Sequence, residues 1–283
     1  MDILQELLEP VPVHEFLHRT FTCVPFAMPD RAVRYTHEFT EADIAAVVED
    51  GRSVLRIVWN GRLVYENTRM AWEEAQGYYR RGHTLLVRYA ERSSAKFQVL
   101  AQAFAQFFHS PVDIQVYLTP DHSQAFGWHY DLEEVFIIQV QGCKEYTIRQ
   151  NTLNPLPVWE TMPTDMAYER ETSRLRLTCR LEAGDWLYIP SGWWHIARTQ
   201  AASMHLSIGG HAGDAAQIVC VSPATPVPVP VPVSAPRFGA ARGGWGAGVS
   251  GARYTKLGGD ACAAQRVPRR RGDVSGVLSL PGG

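Results

Sequence analysis

The sequence predicts a mostly β fold with flanking helices, built around an antiparallel barrel or sandwich. Three observations carry this. From Pro111 onward five short β-rich runs follow one another, VDIQVYL, EVFIIQV, KEYTIR, DWLYIP and SMHLSIG, with turn residues between them. Two of those runs alternate strictly between apolar and polar residues, so each has one apolar and one polar face. Helical periodicity is concentrated before Pro111.

The elements follow in chain order. Thr40 and Asp43 form a T-x-x-D capping box, Ile44, Val47 and Val48 share one helical face, and Gly51 is a stop. VLRIVW at 54–59 reads as a strand. A second helix runs from about Arg69 to Arg80 and ends at Gly82, and TLLVRY at 84–89 is a strand. Ser94 caps a third helix in which Phe97, Leu100, Phe104 and Phe107 form a packing stripe. In 112–119, Val112, Ile114, Val116 and Leu118 oppose Asp113, Gln115, Tyr117 and Thr119. In 203–208, Met204, Leu206 and Ile208 oppose Ser203, His205 and Ser207. Either polar face fits a solvent-exposed strand or the mouth of a barrel around a ligand.

These elements divide the chain into an α/β segment at 1–110, a barrel at 111–220 and a tail at 221–283. The tail opens with PATPVPVPVPVSAP, a polyproline-II spacer, and continues with Gly, Ala and Arg without hydrophobic periodicity. It reads as disordered. It holds eight of the 27 basic and two of the 29 acidic residues, +6 on the tail against −8 on the body. A basic Gly/Arg tail could meet RNA or an acidic partner; a solvated tail without such a role is the alternative. The net charge of −2 gives no sign of a nucleic-acid partner. Hydrophobic content of 46% over 283 residues supports one large core or two smaller ones. Five cysteines, Cys23, Cys143, Cys179, Cys220 and Cys262, with no C-x-x-C pair, speak against a disulfide framework and a zinc ribbon and for a reducing cytoplasm. The acidic, proline-broken start does not resemble a signal peptide, and no apolar run is long enough to span a bilayer.

The chemistry concentrates in GWHYDLEEVFIIQVQGCK, residues 127–144. In an extended strand His129 and Asp131 leave the same face. A second imidazole, His195, follows in GDWLYIPSGWWH. Two His and one carboxylate on one face leave three coordination positions open, the arrangement of non-haem Fe(II) oxygenases, although such a site also accepts other divalent ions. By itself H-x-D also fits a polar pair on a surface strand. The apolar strand it abuts, the turn before His195 and a lysine 13 residues after Asp131 favour the metal site.

Taken together, YLTP…GWHYDLEEVFIIQVQGCKEYTIR…GDWLYIPSGWWH resembles the JmjC subgroup of the cupin superfamily, and most of all its ribosomal-protein hydroxylases and the asparaginyl hydroxylase of hypoxia signalling. The likeness is strong over about 110–210 and looser over 10–110. It implies a double-stranded β-helix (cupin or jelly-roll JmjC barrel) that binds Fe(II), 2-oxoglutarate and O2, with His129, Asp131 and His195 as metal ligands and catalytic centre. It places Lys144 at the distal carboxylate of 2-oxoglutarate. Physics agrees, since a buried ammonium needs an anion, although a lysine reaching solvent past Gly142 is the bland alternative. Tyr117 matches a family position that touches the cosubstrate, and Ser207 is a further candidate for the same pocket. His205 faces inward with Ser207 and reads equally as a core histidine. Trp128, Trp186, Trp193 and Trp194 are candidate pocket walls or simple packing. Phe126 stands where some relatives carry a hydroxyl donor and Val135 where some carry Asn, so cosubstrate hydrogen bonding differs in detail.

The implied activity is a 2-oxoglutarate-dependent dioxygenase that hydroxylates a protein side chain of the Arg, His or Asn type, with a protein or peptide as partner and no membrane. A small-molecule or peptide-natural-product hydroxylase, and a non-catalytic metal-binding cupin, are the alternatives. The helical dimerisation region and winged-helix domain of the ribosomal hydroxylases have no counterpart after this barrel, which leaves a homodimer open.

Overall fold

The computed structural model describes residues 3–211 apart from 68, 167, 168, 170, 172 and 174. The expected tail at 221–283, with Cys220 and Cys262, lies outside the described residues. Two helices open the chain, α1 (Ile3–Leu8) and α2 (Val13–Arg19), followed by a short strand β1 (Phe26–Met28) and a single turn α3 (Tyr35–Glu38). Helix α4 (Glu41–Asp50) begins at the expected capping box: the Asp43 N–H donates to Thr40 Oγ1, and the Asp43 carboxylate accepts from the Thr40 N–H. It ends at Gly51 in the left-handed conformation, φ 75°. Strands β2 (Val54–Trp59) and β3 (Arg62–Asn67) form a hairpin. Helix α5 (Trp72–Arg80) starts three residues later than Arg69, and β4 (Thr84–Arg88) follows.

Helix α6 (Ala95–Phe108) buries Phe97, Leu100, Phe104 and Phe108. The last buried ring of the stripe is thus Phe108, with Phe107 only partly buried against the same core. Ser94 does stand at the N-cap, but its side chain makes no capping hydrogen bond.

The remaining strands are β5 (Val112–Thr119), β6 (Glu134–Gln141), β7 (Cys143–Arg149), β8 (Leu175–Glu182), β9 (Trp186–Ile189), β10 (Trp194–Arg198) and β11 (Ser203–Gly210). An eight-stranded sheet runs β1-β9-β6-β11-β5-β4-β2-β3, and a three-stranded sheet runs β10-β7-β8. All the recorded pairings are antiparallel. The chain passes from the large sheet to the small one at Gly142, φ +66°. A Cβ there would meet the Ala202 carbonyl oxygen at 2.0 Å, so only glycine fits.

Two cores lie on the two faces of the large sheet. Phe136, Ile138, Val116, Leu206 and Ile208 face the helices, where they pack with Phe16, Phe104 and Phe108. Val135, Ile137, Leu187 and Ile189 face the small sheet and pack with Tyr146, Ile148, Leu177 and Leu181. This two-sheet arrangement is the expected mostly β fold. No helix among the described residues is long and apolar enough to cross a membrane. Cys143 and Cys179 are free thiols.

Candidate metal centre

His129 and Asp131 do not lie on a regular strand. They occupy the irregular connection between β5 and β6, held by one isolated bridge in which His129 and His195 exchange backbone bonds: His195 N–H to His129 O at 2.8 Å and His129 N–H to His195 O at 3.2 Å. The Gly192 N–H adds a bond to the Asp131 carbonyl at 2.9 Å. Gly192 has φ +77°, and a Cβ there would press on Pro157 at 2.7 Å. This turn carries the chain from β9 into β10 and delivers His195 beside the other two residues. The spacing in sequence is thus closed by backbone pairing rather than by a shared strand face.

One ligand atom from each of His129, Asp131 and His195 lies within 4.8 Å of the others. The imidazoles are 4.2 Å apart between centroids. Each is oriented from behind. His129 Nδ1 is 2.9 Å from the Gly127 carbonyl, and His195 Nδ1 is 3.0 Å from the Trp193 carbonyl. A carbonyl can only accept, so both Nδ1 atoms carry the proton and both Nε2 atoms present lone pairs. His195 Nε2 stands 3.5 Å from Asp131 Oδ2. Burial first, then His129, pushes His195 down to about 4, against the opposing pull of Asp131. A neutral imidazole nitrogen and a carboxylate oxygen at that distance repel unless a cation lies between them, and the set suits a divalent ion. His195 is buried while His129 and Asp131 are half-buried, so the cluster has one open side.

Lys144 crosses the barrel from β7 to the large sheet and is 1% exposed. Its Nζ lies 3.1 Å from Thr119 Oγ1, 3.4 Å from His205 Nδ1 and 5.5 Å from the Tyr117 ring centroid. Among the described residues no acidic side chain stands within ion-pair distance of it. Burial lowers Lys144 to about 7, and burial with the neighbouring Lys144 holds His205 well below its ordinary value. Two adjacent bases without an acid form a cradle for an anion, and a dicarboxylate fits that donor set.

Tyr117 and His205 pair across β5 and β11 and stack at 4.7 Å and 10°. The Tyr117 hydroxyl donates to Gln115 Oε1 at 3.2 Å, and burial, helped by Asp131, raises its phenol. Ser207 is half-buried on the same face of β11, with no recorded contact to the cluster. Phe126 stands edge-on to both His129 and Tyr117, at 5.7 and 6.5 Å, and replaces a hydroxyl with an apolar wall. Val135 is part of the barrel core. Of the four tryptophans, Trp186 is no pocket wall: it is fully buried in the helix-side core, and its indole N–H donates to Leu7 O at 2.8 Å. Trp193 packs in the barrel core, Trp194 stands edge-on to Tyr130 at 4.6 Å, and Trp128 carries the Arg149 guanidinium at 4.5 Å. Sequence reasoning placed Thr119 on the polar face without a role; its only signal was that alternation. A separate cavity of about 140 Å³ between α5 and β11 shares no residue with this cluster.

Residues 88–218 match the JmjC domain family. Among curated relatives, the bifunctional lysine-specific demethylase and histidyl-hydroxylase NO66 of Drosophila mojavensis is 34% identical over 134 residues, covering 47% of this chain and 15% of the relative. The Drosophila yakuba protein of the same name is 28% identical over 234 residues, covering 73% of this chain and 32% of the relative. The chain thus spans a third or less of these two relatives. Among solved structures, the Escherichia coli ribosomal oxygenase YcfD in complex with cobalt and 2-oxoglutarate superposes with a TM-score of 0.55 at 19% identity, covering 71% of this chain and 52% of that one. A second YcfD structure gives 0.56 at 19% identity, with 72% and 53% covered. The likeness to YcfD establishes the fold, and the segment that matches the JmjC domain family holds His129, Asp131, Lys144 and His195.

Proposed function

We propose that this chain is an Fe(II)- and 2-oxoglutarate-dependent dioxygenase that hydroxylates a protein side chain of the Arg, His or Asn type. The observation that carries the reading is the pairing of the His129/Asp131/His195 cluster with a buried lysine that has no acid of its own. The names of the relatives add support: the NO66 proteins are named histidyl-hydroxylases, and YcfD was captured with cobalt and 2-oxoglutarate. When bound, the metal and keto acid supply the oxidative chemistry. The chain supplies everything else. Gly127 O and Trp193 O fix both imidazoles with Nε2 available. Lys144 orients the far carboxylate, with Thr119, and His205 and Tyr117 stack beside it. Ser207 lies further along the same face and lines the pocket in this reading. Phe126 keeps it apolar beside His129, and the half-exposed His129–Asp131 side is where a protein side chain enters.

The same proposal takes 1–110 as a segment packed on the barrel, 111–220 as the barrel and 221–283 as a tail, and sets the chain in the cytoplasm. The free thiols of Cys143 and Cys179 suit that compartment.

The test is 2-oxoglutarate turnover. Anaerobically prepared protein loaded with Fe(II) and then exposed to oxygen should form succinate, and His129→Ala should form none. Absence of succinate, together with absence of Fe(II) and 2-oxoglutarate binding by calorimetry, would sink the reading.

A further inference from the structure

Ten large apolar side chains stand exposed among the described residues, and seven of them sit on two segments. The other three, Val33, Val99 and Leu175, lie singly along the chain, as is ordinary for a protein surface. Trp59, Leu63 and Val64 belong to the β2–β3 hairpin at one edge of the large sheet. Leu153, Leu156, Val158 and Trp159 belong to the connection between β7 and β8 of the small sheet, where Leu156 is 86% and Trp159 80% exposed. Apolar surface clustered in this way marks an interaction site.

Both segments touch the stretch of chain that carries His129 and Asp131. The hairpin turn reaches its start: the Gly61 N–H donates to Ala125 O at 2.9 Å, and a Cβ on Gly61 would stand 3.3 Å from the Gly127 nitrogen. The β7–β8 connection reaches its end. Asn154 Nδ2 donates to the Tyr130 hydroxyl at 3.3 Å, and Pro157 lies against Gly192, whose N–H bonds the Asp131 carbonyl. The connection is fixed by its own bonds: Asn151 Oδ1 accepts from the Leu153 and Asn154 N–H groups at 3.1 and 2.8 Å, and Thr161 Oγ1 accepts from the Val158 N–H at 3.0 Å. On the hairpin, Trp59 stacks on His83 at 5.9 Å. Apolar side chains held out in water by a set backbone lose free energy until something covers them, and their preorganisation favours a partner. Residues 151–171 hold Glu160, Asp165, Glu169 and Glu171 against Arg170, and the body carries −8, so the partner they suit is basic.

We propose that the hairpin and the β7–β8 connection form a docking surface for a basic polypeptide segment. Apolar side chains of that segment cover Trp59 and Leu63 on one side and Leu156 and Trp159 on the other, while the residue between them reaches the open side of His129 and Asp131. A small molecule held in the barrel interior would leave both apolar segments bare. The proposal deepens the reading of this chain as a protein hydroxylase and rests on it.

The test measures fluorescence anisotropy of labelled synthetic peptides on the full chain loaded with Co2+ and 2-oxoglutarate. All peptides are centred on Arg, His or Asn. The first pool carries leucine or phenylalanine with lysine on both sides of the centre, the second serine with lysine, and the third leucine or phenylalanine with glutamate. The first pool should bind about tenfold tighter than the second, and more tightly than the third. Leu156→Ser/Trp159→Ser and Trp59→Ser/Leu63→Ser should each raise its Kd about tenfold, while Val99→Ser, equally exposed but on α6, should leave it unchanged. A second or third pool that binds as well as the first, no measurable binding of any pool, or double variants that behave like Val99→Ser overturn the proposal. Sedimentation decides the remaining occupant: a wild type that self-associates, with both double variants monomeric, assigns the surface to a second copy of the chain and overturns it too. Wild-type protein that forms no succinate with Fe(II) removes the hydroxylase reading and this one with it. Succinate formed by a protein to which the pools bind alike removes only this one.

Discussion

The two faces of the large sheet are made by the same strands and do opposite things. On β5 and β11, Ile114, Val116, Met204, Leu206 and Ile208 point to the helices and close a dry aromatic and aliphatic core. Their neighbours Tyr117, Thr119 and His205 point into the barrel and meet Lys144. The outer face gains by removing apolar surface from water. The inner face gives stability up: it buries a lysine without an acid, a histidine held neutral, and Tyr146 Oη with no hydrogen-bond partner among the described residues. Alternation along a strand thus separates a face that folds the molecule from a face that carries buried polar groups.

That contrast breaks or holds on paired variants. Phe136 contacts the rings of Phe16, Phe104, Phe107, Phe108, Trp186 and Tyr188. Phe136→Ala should cost about 3–5 kcal/mol in urea denaturation. Lys144→Met, at an equally buried position on the inner face, should cost nothing or raise the melting temperature, because an uncompensated charge is replaced by an apolar chain of similar length. Equal losses from the two would show that the inner face is ordinary core. The same Lys144→Met should weaken 2-oxoglutarate binding about a hundredfold by calorimetry, since the dicarboxylate loses its counter-charge. Binding unchanged in that variant would take Lys144 out of the pocket.

The two buried titratable groups sharpen the comparison through pH. Lys144 falls to about 7 from an ordinary 10.5, so between those values the unfolded chain holds the extra proton and stability rises with pH. Glu134, on the outer face, is raised from 4.5 to about 7; over that range the folded protein holds the extra proton and stability falls as pH rises. Denaturation across both windows should show the upper slope vanish in Lys144→Met and the lower slope vanish in Glu134→Gln. Because an anion favours the charged lysine, 2-oxoglutarate binding above about pH 7 should take up a proton, read from calorimetry in two buffers of different ionisation enthalpy.

How far the sequence reached differs between the same two regions. The barrel strands VDIQVYL, EVFIIQV, KEYTIR, DWLYIP and SMHLSIG all appear as β5, β6, β7, β9 and β11, because each is a short run, either continuously apolar or alternating, set off by turn residues. β8 and β10 escaped. β8 alternates Leu177, Cys179 and Leu181 inward among charged residues, and its exposed face makes it read as a loop. β10 is five residues long and carries His195, whose chemistry hid its strand character. The cluster itself was legible as residue types and spacing, but not its closure: the His129–His195 bridge and the Gly192–Asp131 bond are backbone contacts between positions about 60 residues apart, and no side-chain pattern announces them. Lys144 was legible as a charge near the motif. Its partners Thr119 and His205 come from strands across the barrel, so only the register of β5 and β11 reveals them.

The smallest effects test the periphery, where both faces are irrelevant. Thr40 and Ser94 look alike in sequence, each a hydroxyl residue ahead of a helical run. In the fold they differ. Thr40 Oγ1 accepts from the Asp43 N–H at 3.3 Å, and Asp43 returns the bond, while Ser94 makes no capping bond at all. Thr40→Ala should therefore lower stability by about 1 kcal/mol, and Ser94→Ala by no more than a few tenths. Neither should change Co2+ or 2-oxoglutarate affinity, because α4 and the start of α6 lie on the helix side of the sheet. A ligand-binding change in either variant would mean that the helical layer reaches the metal centre, and a full-size loss at Ser94 would mean that its side chain caps α6 in solution after all.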